Sequence, residues 1–126
     1  MQGAAGRGSQ GVIRENFGLE GEPIVAVPTG AAGLVITGPS KQGQTFIIKT
    51  FSRVVNVSGS ARTVSFYLVS RLTGTATLSN CIGLNMAIPA DQWMPFGEFY
   101  LPYGYDIYGI ASGANVNLAA CILKED

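Results

Sequence analysis

The sequence predicts an all-β protein, a sandwich or barrel of antiparallel strands preceded by an extended arm. Two observations carry that class. Beyond Gln44, candidate strands recur about every 10–12 residues, bounded by glycine, proline, serine or asparagine. No window sustains the i, i+3, i+4 spacing of an amphipathic helix. With 126 residues the chain forms one domain, large enough to bury a core without disulfide staples.

Residues 1–22 are read as the arm and residues 23–126 as the sandwich domain. Ten of the 17 glycines fall within residues 1–43, where Phe17 is the one aromatic residue. Residues 1–22 show neither strand nor helix periodicity and hold too few apolar residues to pack alone, so they are expected to order only against a partner. Ordering costs about 1–2 kcal/mol per residue, which a partner surface must offset. Pro23–Pro28 and Gly33–Thr37 are two short apolar runs, expected to be a strand pair or edge strands.

The strand pattern then becomes regular. In Thr45–Val57, Phe46, Ile48 and Val54 alternate to one face, and Ile47, Phe51, Val55 and Val57 to the other. Apolar residues on both faces suit a sheet that packs a core on one side and meets a neighbour on the other. Ser58-Gly59-Ser60 is a turn signal. In Arg62–Ser70, Val64, Phe66 and Leu68 oppose Ser65, Tyr67 and Val69. Cys81–Ile88 alternates through Ile82, Leu84, Met86 and Ile88, interrupted by the polar Asn85. A short helical turn is expected near Asp91–Met94 and a strand over Phe96–Leu101. Tyr105–Ala111 and Asn115–Leu123 are expected to form a hairpin across Ser112-Gly113-Ala114.

Composition excludes several function classes. Eight basic and eight acidic residues leave a net charge of zero, which argues against nucleic-acid binding. Histidine is absent, removing the commonest acid/base group and metal ligand. Charged residues are 13% of the chain against about 25% in an average soluble domain. Such chains are expected inside assemblies. The start of the chain lacks the basic-then-apolar order of a signal peptide, and no apolar run reaches membrane-span length, so synthesis in a cytoplasm is expected and no membrane contact. Cys81 and Cys121 are read as thiols buried in strands, with a cross-strand disulfide as the alternative.

Motifs that could carry chemistry fail on context. Gly6-Arg7-Gly8-Ser9-Gln10-Gly11 has dinucleotide-type glycine spacing without the preceding strand and following helix. Gly38–Thr45 approaches a phosphate loop, but Gln44 stands where the lysine is needed and a strand follows. Asp91, Glu98 and Asp106 are expected to be solvated or loop-capping carboxylates. No serine or threonine has a histidine to activate it, so no catalytic residue, cofactor, metal or small-molecule substrate is assigned. Asn56-Val57-Ser58 matches a glycosylation acceptor and is given no weight without a secretory route.

Trp93, Phe96, Phe99, Tyr100, Tyr103, Tyr105 and Tyr108 form the densest chemical feature. Alternate members are expected to fill the core, and others to reach a subunit interface or a sugar-stacking rim.

The segments "TFIIKTFSRVVNVSGSARTVSFYLV", "NCIGLNMAIPADQW" and "YDIYGIASGANVNLAACI" resemble small β-sandwich structural proteins of tailed bacteriophages, most of all head decoration (cement) proteins. The resemblance implies a jelly-roll-like sandwich and a capsid decoration protein on the virion surface. Its partners would be the major capsid protein and its own copies, as a trimer or dimer. Arg7, Arg14 and Phe17 in the arm, with Trp93, Tyr100 and Tyr103 in the sandwich, are the candidate interface residues. The alternatives are a tail adaptor or fibre domain and a carbohydrate-binding module.

Overall fold

The computed structural model describes residues 13–17 and 24–125. In chain order the elements are β1 (Ile13–Phe17), β2 (Ile24–Ala26), β3 (Gly33–Ile36), β4 (Thr45–Ile48), β5 (Arg53–Asn56), β6 (Arg62–Ser70), β7 (Cys81–Ile88), β8 (Trp93–Pro95), β9 (Phe99–Pro102), β10 (Tyr105–Ala111), β11 (Val116–Ala119) and β12 (Cys121–Glu125). The one helical segment among the described residues is a 3-10 turn at Leu78–Asn80.

Hydrogen bonding groups the strands as β3-β10-β6-β7, β2-β11-β5-β8 and β1-β12-β4-β9. The last two groups are halves of one bent sheet. β11 runs into β12 through Ala120 alone, β4 reaches β5 through Lys49–Ser52, and β8 reaches β9 through Phe96–Glu98. β1 and β2 lie along successive halves of the β11–β12 ribbon. With each interrupted ribbon counted once, eight strands remain. Their order is first, eighth, third, sixth in one sheet (sheet I) and second, seventh, fourth, fifth in the other (sheet II). That order is the double Greek key of a jelly roll.

The core lies between the two sheets. Sheet I contributes Phe46, Ile48, Val54, Leu101, Val116, Leu118 and Ile122. Sheet II contributes Val35, Ile36, Val64, Phe66, Ile88, Ile107 and Ala111. Each fully buried aliphatic or Phe side chain contributes about 1.5–3 kcal/mol. Phe66 lies edge-on to Phe96, with centroids 4.8 Å apart, and Gly109 leaves it room: a Cβ there would stand 2.9 Å from the Phe66 ring.

The bend in sheet I is held by a buried serine. The Ser52 hydroxyl accepts the Cys121 N–H at 2.9 Å, and Lys49 N–H donates to the Cys121 carbonyl at 2.9 Å. The strand predicted as continuous from Thr45 to Val57 is therefore two strands, because Ser52 replaces a ladder bond with a side-chain bond. A second buried polar centre closes the β5–β6 turn. Asn56 Nδ2 lies 2.8, 3.0 and 3.1 Å from the carbonyls of Ser60, Ile88 and Pro89. Its Oδ1 accepts from the Ser58 N–H and hydroxyl. Asn56 is thus a buried structural amide, not a glycan acceptor.

Several sequence expectations are corrected. Tyr105–Ala111 and Asn115–Leu123 do not form a hairpin: β10 pairs with β3 and β6, whereas β11 pairs with β2 and β5 in the opposite sheet. The Ser112–Asn115 link crosses the sandwich instead of reversing within a sheet. Of the two expectations for the runs that became β2 and β3, the strand pair is wrong and the edge strands are right: each is an edge strand, in opposite sheets. The Cys81–Ile88 alternation changes phase, because irregular register and a left-handed Asn85 (φ 48°) put Gly83 opposite Phe66 and Met86 opposite Val64. Asp91–Met94 is a turn entering β8, and the helical turn lies at Leu78–Asn80. Within residues 1–22, where no strand periodicity is present, Ile13–Phe17 forms β1 by antiparallel pairing with Cys121–Glu125 of the same chain. Backbone pairing to an edge needs no side-chain alternation.

Candidate interaction surface

Strand alternation, with one side committed to the core, dictates what each outer face displays. On sheet I the outward rows are Ala26–Asn117–Val55–Trp93, Ile24–Ala119–Arg53–Pro95 and Leu123–Ile47–Tyr100. The third row continues at register to Glu15 of β1, beside the register of Ile13, Glu125, Thr45 and Pro102, and in the second row the Arg53 guanidinium lies 4.2 Å from the centroid of the Trp93 ring. That stacking covers one face of the indole. On sheet II a row of Leu34, Tyr108, Tyr67 and Cys81 crosses all four strands, with Ile110 beside it. Both outer faces are therefore largely apolar.

The sequence-predicted interface residues do not converge on one point. Trp93 is 53% exposed, at the register of Val55. Tyr100 is 66% exposed, at the register of Ile47 on the other half of the bent sheet. Tyr103 is exposed in the β9–β10 turn. Arg14 and Phe17 sit in β1 at the registers of Lys124 and Cys121, and Arg7 lies outside the described residues. Of the remaining aromatic cluster, Phe96 and Phe99 pack against the core and Tyr105 is exposed. Tyr108 is half-buried on the sheet II face. Sequence reasoning passed over Arg53, Leu34 and Tyr67, whose placement depends on cross-strand neighbours.

The carboxylates take structural positions. Asp106 Oδ1 accepts from Arg71 Nε at 3.1 Å and Nη2 at 2.8 Å, and from the Gly38 N–H at 2.8 Å. Arg71 also donates to the carbonyls of Pro39 and Gly38, both at 2.7 Å. With its own N–H bonded to the Gly104 carbonyl, Arg71 ties together three connections at one end of the sandwich. The hydrogen bond that Arg71 donates to Asp106 raises the Arg71 pKa, against a smaller opposing effect of burial. Gly38 fits here because a Cβ would run into the Tyr105 carbonyl oxygen. Glu98 lies 3.8 Å from Lys49, and Asp91 occupies a turn with φ 56°. Among the described residues no group of three or more cysteines and carboxylates converges as a metal site, and no helix is long and apolar enough to cross a membrane.

Cys81 and Cys121 are both thiols, in sheets II and I respectively. The phosphate-loop-like segment Gly38–Thr45 is the β3–β4 connection and leads into a strand, leaving no helix N-terminus to hold a phosphate. No protein-family model, curated protein or solved structure matches the chain.

Proposed function

We propose that the chain is a virion structural protein, a capsid decoration (cement) protein that binds the shell of a major capsid protein and self-associates as a dimer or trimer. The observation that supports this reading best is the apolar character of both outer sheet faces on a jelly-roll sandwich. A solitary soluble domain covers such faces with charge. Here the outward sheet I registers carry three charged residues, Arg53 laid on Trp93 and, in β1 and β12, Glu15 and Glu125.

The mechanism is linkage. A protein that binds assembled shell, but not separated subunits, raises the free energy of disassembly. Many copies joined by self-contacts and arms gain avidity without tight single-site binding. Residues preceding β1 would extend from the edge of sheet I as the arm, laid on a neighbouring subunit by strand addition or groove filling. Arg7 would anchor it to acidic patches, with Arg14 and Phe17 of β1 as contacts at the edge of sheet I. Trp93, Tyr100 and Tyr103 would serve as aromatic contacts of the sandwich itself.

Particles carrying and lacking the protein test this reading. A copy number matching the shell lattice supports decoration; a small number matching tail symmetry assigns the chain to a tail adaptor or fibre. Deleting residues 1–12 leaves β1 in place and is expected to lower shell occupancy. Unchanged occupancy removes the arm from the mechanism.

A further inference from the structure

We draw no further inference here: the strongest candidate, the stacked Arg53–Trp93 pair on the outer face of sheet I, lies in a largely apolar surface and nothing in the structure shows what covers it.

Discussion

At the residue scale, buried polar side chains hold the connections of this fold. Asn56 is fully buried and bonds at both ends of its amide. Asn56→Ala removes one partner and leaves the Ile88 carbonyl and the Ser58 N–H without it. The expected loss is about 2–3 kcal/mol in denaturant unfolding. Arg71 behaves differently because it is partly exposed and its partner is a carboxylate. Its folded pKa is raised, chiefly by the hydrogen bond to Asp106. The stabilisation is complete below the unfolded pKa of arginine and fades only as pH rises through the folded value. The stability difference between wild type and Arg71→Gln is therefore expected to stay constant between about pH 7 and about pH 9, followed by thermal melting.

At the element scale, breaks in strands matter as much as strands. Ser52 joins β4, β5 and β12 where sheet I bends. Ser52→Ala deprives the Cys121 N–H of its acceptor and should cost about 1–2 kcal/mol. Amide exchange at Cys121 should rise more than at Leu118, which lies in the regular ladder; equal changes would mean that the serine does not hold the bend. The same elements show what was legible beforehand. Phe46, Ile48 and Val54, and then Val64, Phe66 and Leu68, point into the core as their alternation implies. In Cys81–Ile88 the alternation misleads, because Asn85 adopts a left-handed conformation that shifts the phase. Period two is local, and one irregular residue reverses every side chain beyond it.

At the scale of the whole molecule, eight ribbons enclose one core and leave two apolar outer faces. In the cement reading, shells with free protein at about a hundred times its Kd should gain about 2.7 kcal/mol per site, seen as a concentration-dependent rise in shell melting temperature. A melting temperature independent of concentration would contradict stabilisation by binding.

Composition and alternation by themselves determined an all-β class, a charge-poor exterior and most of the core, since burial follows from the local period of apolar residues. They also singled out Trp93, Tyr100 and Tyr103 as candidate contacts, and the structure leaves all three exposed. Tertiary structure decided which strands became neighbours. Tyr105–Ala111 and Asn115–Leu123 looked like a hairpin because a short glycine-containing link joins them, yet they belong to opposite sheets. A short link satisfies either geometry, and the choice depends on where Phe46, Phe66 and Ile122 can all be buried together. That β7 ends its sheet among the described strands was equally undecided in sequence, because strand order depends on partners distant along the chain.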